Sequence, residues 1–181
     1  LVFVRLEGGA GSEIPPLLDM VDGIAERIAP LRLDRLRFAR RVTYDVACNW
    51  KVYVDNYLEG YHLPLVHPEL CDRLVVRGYT TETFRWYSLQ HSGLRGGGDG
   101  YYGTDAADDD AAYYYFLFPN VMLNILPGRL QTNIVEPVAA ERCRVHFDYF
   151  YTDGASEQRI DEDVAFSDRV ERYLPPVRRL A

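Results

Sequence analysis

The sequence predicts an α+β fold, an antiparallel sheet covered on one face by helices. Three observations carry that reading. Between Tyr113 and Tyr151, the runs Tyr113–Phe118, Leu130–Glu136 and Arg142–Tyr151 are rich in strand-forming residues. They are separated by Pro119-Asn120, Pro127-Gly128 and Ala139-Ala140-Glu141, the punctuation of a meander. Earlier, Lys51 to Tyr61 carries apolar or aromatic residues at 52, 53, 54, 57, 58 and 61, a wide helical stripe inserted between strands. Ser156 to Tyr173 has apolar positions at 160, 164, 166, 170 and 173, with Asp161-Glu162 complementing the dipole in its early turns, so a long amphipathic helix is expected last.

The remaining elements follow in order. Leu1-Val2-Phe3-Val4-Arg5-Leu6 reads as a strand and lacks an initiator Met, so a preceding segment is expected. Gly8-Gly9-Ala10-Gly11-Ser12 and Pro15-Pro16 signal a loop before a short amphipathic helix over Leu17–Ile28. Leu36 to Val46 alternates apolar residues with Arg and Thr and reads as strand, ending near Cys48-Asn49-Trp50. Pro64 removes a backbone donor and disfavours helix at Leu63, so the inserted helix is expected to end close to His62. Gly93 to Asp110, with Gly96-Gly97-Gly98 and Asp108-Asp109-Asp110, is expected to form a mobile surface loop with no catalytic role. Pro175-Pro176 stops the last helix.

Composition excludes several functions. With 181 residues and 48% of them apolar, one domain with its own core is the default. The 20 Lys and Arg against 27 Asp and Glu leave a net charge of −7 with no basic stripe, which argues against nucleic acid as a partner. Cys48, Cys71 and Cys143 are widely spaced with no C-x-x-C pair, and read as buried thiols in a reducing cytoplasm. No run reaches the roughly 18 to 20 apolar residues of a membrane span, so no membrane association is expected.

Two of the four histidines, His62 and His67, lie in Glu59-Gly60-Tyr61-His62-Leu63-Pro64-Leu65-Val66-His67. On an unbroken helix a spacing of five rotates the side chains apart by roughly 140°, too far for one metal. A helix ended at His62 lets His67 fold back beside it, and two imidazoles suit Fe, Zn or Cu. Asp161, Glu162 and Asp163 are candidates for a third, carboxylate ligand. Two His and one carboxylate leave positions open for dioxygen and substrate, the non-haem Fe(II) arrangement.

The segment from Asn49-Trp50-Lys51 through Asp55-Asn56-Tyr57-Leu58-Glu59-Gly60-Tyr61-His62 to His67 resembles the iron-binding segment of Rieske non-haem iron oxygenase α subunits, the aromatic-ring-hydroxylating dioxygenase family. The resemblance continues through Phe118-Pro119-Asn120-Val121-Met122-Leu123-Asn124, Thr132–Pro137 and Arg142–Val145, and is strongest to the branch of choline, glycine-betaine and carnitine monooxygenases. It covers Leu1 to about Leu174 and implies a helix-grip (START/Bet v 1-like) catalytic domain over 1–181. The family's metal ligands correspond to His62, His67 and, through Glu162-Asp163-Val164, Asp163, with Asp161 as the fallback. Glu59 matches an acid that bridges to a cluster-ligating His of a neighbouring subunit, and Asn56 matches an Asn close to the iron. Mononuclear Fe(II), dioxygen, an organic substrate, a reductase or ferredoxin, and a homotrimer are what the resemblance implies. The C-x-H and C-x2-H pairs of a Rieske centre are missing, so a [2Fe–2S] cluster is expected only in an N-terminal domain absent from this sequence.

Plainer readings stand beside these. Trp50, Tyr53, Tyr57 and Tyr61 could form a cage for a quaternary ammonium ion, although such stripes more often serve the core. His91 and His146 belong to no motif and fit surface or core positions. Two other functional classes compete with the oxygenase: a non-catalytic ligand-binding domain of the same shape, and a zinc hydrolase using the same ligands.

Overall fold

The computed structural model describes residues 15–66, 78–94, 111–172 and 176–180. Leu17 to Ile28 forms two short helices, α1 (Leu17–Met20) and α2 (Ile24–Ile28), where the periodicity predicted one. Gly23 separates them with φ at +78°, a left-handed conformation that breaks the helical path. Only α2 reaches the core, through Ile24, while α1 has no buried residue.

Eight strands are described: β1 (Arg37–Val46), β2 (Thr80–Thr83), β3 (Tyr87–Gly93), β4 (Ala111–Leu117), β5 (Val121–Leu126), β6 (Arg129–Ala139), β7 (Arg142–Tyr151) and β8 (Val177–Leu180). They make one antiparallel sheet in the order β2-β3-β4-β5-β6-β7-β1-β8. The predicted meander is therefore present and longer than the sequence suggested. Strand β5, Val-Met-Leu-Asn-Ile-Leu, escaped prediction because it is buried on both faces and lacks alternation. The glycine-rich loop expected over Gly93–Asp110 lies outside the described residues from 95 onward.

Both faces of the sheet are covered, a correction to the expected single layer. Tyr87, Leu89, Tyr115, Leu117, Leu123 and Ile125 pack on the outer face with Ile24 of α2. The inner face carries the larger core, with Val42, Tyr44, Val46, Met122, Val135, Val145 and Phe147. Two helices close it: α3 (Trp50–Leu58) through Tyr53 and Val54, and the last helix, α5 (Glu157–Glu171), through Ile160 and Val164. Ser156 caps α5 by accepting from the Arg159 backbone N–H at 3.2 Å.

Polar bonds fix α5 in place. The hydroxyls of Tyr151, Tyr44 and Tyr53 donate to Asp163, Asp168 and Glu171 of the helix at 2.7, 2.7 and 3.0 Å. Asp163 is completely buried and pairs with Arg129 of β6 at 2.6 Å, the guanidinium side chain being only 5% exposed. Arg40 reaches Asp161 at 2.6 Å and Glu157 at 3.1 Å along the helix's exposed edge.

Two measurements check this docking. Arg129→Met strands the Asp163 carboxylate in the interior and is expected to destabilise the fold by about 3–5 kcal/mol in urea titrations. The second concerns Glu171, whose carboxyl is pushed up to about 8 by burial against the opposing hydrogen bond from Tyr53. Because this folded value lies above the unfolded one, the group's stabilising contribution is complete below about pH 4 and is lost as pH rises toward 8. Glu171→Gln is expected to flatten the stability profile between pH 5 and 8, removing a slope of up to about 1.4 kcal/mol per pH unit.

Candidate metal-binding site

The site begins where α3 ends. Asn49 caps the helix by accepting from the Lys51 backbone N–H at 3.0 Å, and its side-chain amide donates to the Ala140 carbonyl at 2.8 Å. This ties the helix start to the β6–β7 turn. From there α3 crosses the inner face, with Tyr53 meeting Glu171 and Tyr57 reaching Asn124 of β5 at 2.9 Å.

The helix stops at Leu58, earlier than predicted. Glu59 is extended, with φ at −117° and ψ at 148°. Pro64 is not the terminator either. It occupies the second position of a new short helix, α4 (Leu63–Val66), where a missing N–H costs nothing.

Glu59 and His62 do meet, through a turn and not through a shared helical face. One carboxylate oxygen of Glu59 accepts from the backbone N–H groups of Tyr61 at 2.6 Å and His62 at 3.3 Å. The other bonds the Nδ1 of His62. Burial would raise the Glu59 carboxyl, but the His62 ring and the two backbone donors outweigh it and hold it below its ordinary value. A carboxylate on Nδ1 fixes the tautomer and ring plane of a histidine, leaving Nε2 as the nitrogen with which a metal would bond.

Of the other expected ligands, His67 lies outside the described residues. Asp163 is held by the sheet: one oxygen meets Arg129 at 2.6 Å, and the other accepts from Tyr151 at 2.7 Å and lies 3.5 Å from Arg159. Asp163 thus stands as a buried carboxylate between the guanidinium of Arg129 and the hydroxyl of Tyr151. The fallback Asp161 is exposed and paired with Arg40, and Glu162 accepts from Gln158 at 2.9 Å. Among the described residues no three of His, Cys, Asp and Glu gather as a metal cluster. Asn56 is half-buried on α3, next to Tyr57, and takes no part in the Glu59–His62 bonds.

The aromatic residues of α3 form no cage. Tyr53 is buried against Glu171, Tyr57 points to Asn124, Trp50 packs on the core, and Tyr61 is 91% exposed. His91 bonds Thr80 and Glu82, and His146 bonds Thr43 and Glu136, so both serve the sheet. Cys48 and Cys143 are buried free thiols, and burial pushes the latter up to about 12. Cys71 lies outside the described residues.

Sequence reasoning missed the residues around the turn. Gln90, Tyr114, Asn124, Gln131 and Tyr149 are successive cross-strand partners from β3 to β7, a polar row on the inner face. Gln90 donates to the Tyr57 carbonyl at 2.8 Å and accepts from the hydroxyl of Tyr79. Burial and the charge of Glu59 push the Tyr79 phenol up to about 12. The one signal in the sequence is a polar residue at alternate positions of an otherwise apolar strand.

Comparison with known proteins places this geometry. Residues 33–174 match the family described as ring hydroxylating alpha subunit, catalytic domain. Choline monooxygenase of Arabidopsis thaliana is 36% identical over 141 residues, covering 75% of this chain and 32% of the relative. The carnitine monooxygenase oxygenase subunit of Acinetobacter baumannii is 32% identical over 138 residues, 74% of this chain and 37% of the relative. The chain thus spans about a third of the curated relatives it matches. A solved quaternary ammonium Rieske monooxygenase superposes with a TM-score of 0.75 at 26% identity, over 87% of this chain and 43% of that one. Naphthalene 1,2-dioxygenase from Rhodococcus sp. shares the fold, with a TM-score of 0.60 at 15% identity over 88% of this chain and 48% of that one. With its eight-stranded sheet and closing helix, and residues 33–174 matched by the family, this chain belongs to the catalytic domain of the ring-hydroxylating alpha subunits.

Proposed function

We propose that the chain is the mononuclear-iron domain of a Rieske-type oxygenase that hydroxylates an organic substrate. The observation that carries the reading is the Glu59–His62 pair at the end of α3, a carboxylate holding an imidazole as metal-ligating histidines are held. Fe(II), when bound, would supply dioxygen activation there. His62 fits such a metal and His67 is its proposed partner. Asp163 is the proposed third donor, a completely buried carboxylate, with Asp161 as the fallback.

Glu59 has a second proposed role. Its side chain is 38% exposed while that of His62 is 17% exposed, so the carboxylate connects a shielded ring to the surface. That suits an acid through which electrons from a neighbouring subunit's [2Fe–2S] centre reach the site, in a homotrimer served by a reductase or ferredoxin. Asn56, one helical turn before Glu59's end of α3, is proposed to lie near the metal. A quaternary amine is the proposed substrate ahead of an aromatic ring, because choline and carnitine name the curated relatives. The buried reduced thiols of Cys48 and Cys143 support a cytoplasmic setting. Among the described residues no helix is long and apolar enough to cross a membrane.

Anaerobic reconstitution with Fe(II), followed by elemental analysis, tests the site. Near-stoichiometric iron is expected in the wild type and near none in His62→Ala or His67→Ala with unchanged circular dichroism. Glu59→Gln, which keeps the side chain's shape, is expected to weaken metal binding by roughly 10- to 100-fold. A folded wild type that takes up no iron overturns the oxygenase reading in favour of a ligand-binding domain. Preference for Zn(II) with hydrolytic turnover and no dependence on a reductant favours the hydrolase instead.

A further inference from the structure

We propose that Gln90 and Tyr79 are positioning residues that set the location of His62 by holding the end of α3 and the turn that follows it. The proposal rests on the reading of His62 as a metal ligand and adds two residues that no motif contains.

The argument starts from a missing helical hydrogen bond. In a continuing helix the Tyr57 carbonyl would accept from the backbone N–H of Tyr61, four residues on. That N–H is instead bound to the Glu59 carboxylate at 2.6 Å. The Tyr57 carbonyl is therefore left without its helical donor inside the protein, where an unmade bond costs about 1–3 kcal/mol. The side-chain amide of Gln90 supplies the replacement at 2.8 Å. Gln90 is 2% exposed and lies on β3, so it ties the last turn of α3 to a strand that cannot shift without breaking its ladder.

Tyr79 completes the clamp from the other side. Its hydroxyl donates to the Gln90 side-chain oxygen, which orients the amide so that the NH2 group faces Tyr57. Its ring lies against Gly60: a Cβ added there would be 3.4 Å from Cε1 of the ring and 3.6 Å from Cζ. Gly60 is the residue between Glu59 and Tyr61, so the ring bears directly on the turn that carries His62. Tyr57 is meanwhile held at its other end, where its hydroxyl donates to Asn124 at 2.9 Å and to the Tyr115 carbonyl at 3.3 Å. Pinned at both the carbonyl and the hydroxyl, Tyr57 has no freedom to rotate the helix end, and His62 inherits that fixed frame.

A metal site loses affinity when its ligand must be ordered on binding, so loosening the clamp should act on affinity before it acts on the fold. Co(II), a spectroscopic stand-in for Fe(II), is titrated anaerobically into the wild type, Gln90→Met, Gln90→Glu, Tyr79→Phe, Tyr53→Phe and His62→Ala, with thermal unfolding measured on each. Gln90→Met keeps the shape and loses both bonds; Gln90→Glu keeps the acceptor for Tyr79 and loses the donor to Tyr57. Tyr53→Phe removes a bond from the same helix far from the turn and serves as the control.

The expected result is roughly 10-fold weaker Co(II) binding, with an altered ligand-field spectrum, in Gln90→Met and Gln90→Glu, and a smaller loss in Tyr79→Phe. Tyr53→Phe is expected to lower the melting temperature while binding Co(II) as the wild type does. Should Gln90→Met fail to fold, Tyr79→Phe, which removes a single hydroxyl, decides the matter alone. Wild-type affinity and spectrum in the folded Gln90 and Tyr79 variants overturn the proposal and leave the metal reading intact. Failure of the wild type itself to bind Co(II) overturns the metal reading, and this proposal with it.

Discussion

Asp163 places a carboxylate where water has no access, and the architecture of the inner face depends on how that group is met. Desolvating a carboxylate costs several kcal/mol even after the protein relaxes, and only close, well-aligned partners offset it. Arg129, Tyr151 and Arg159 provide them. Since Arg129 and Tyr151 are register partners on β6 and β7, the bond specifies where along the sheet α5 must lie. The same contact docks the helix through its most buried acid.

Beside α5, α3 packs on the same inner-face core. Its first turn is tied to the β6–β7 connection by Asn49, its middle to α5 by Tyr53 and Glu171, and its end to β3 and β5 by Gln90 and Asn124. The bonds of Tyr53, Gln90 and Asn124 join polar atoms that burial would otherwise leave without partners. Gln90 and Asn124 of the polar row meet the carbonyl and the hydroxyl of Tyr57 at the helix end, where carbonyls lack helical donors. His62 follows directly on the helix end that Gln90 and Asn124 hold.

The turn itself exchanges one set of partners for another. By ending α3 at Leu58, the chain frees the Tyr61 and His62 backbone donors for Glu59, and the Glu59 carboxylate then reaches the His62 ring. A continuous helix would have placed Glu59 and His62 on one face as well, but with both backbone donors committed to carbonyls. The broken helix gives a more acidic and more rigid carboxylate beside the imidazole.

Much was legible in the sequence because it is local. The strand runs Leu36–Val46 and Arg142–Tyr151, the stripe of Lys51–Tyr61, of which Trp50–Leu58 is helical, and the periodic stretch after Ser156 each depend on neighbours a few residues away, and each reappears in the structure. Hydrophobic period and capping chemistry are short-range, so a chain read without its fold still reveals them. The roles of Asp163, Gln90 and Tyr79 are of another kind. Asp163 is 34 residues from Arg129, and Gln90 is 33 from the carbonyl it binds. An acid on a helix or an amide in a strand has the same local signature whether it binds a metal, docks a helix or faces water. Sheet register and the demand that buried polar atoms find partners assigned those roles, and both exist only once distant segments have come together.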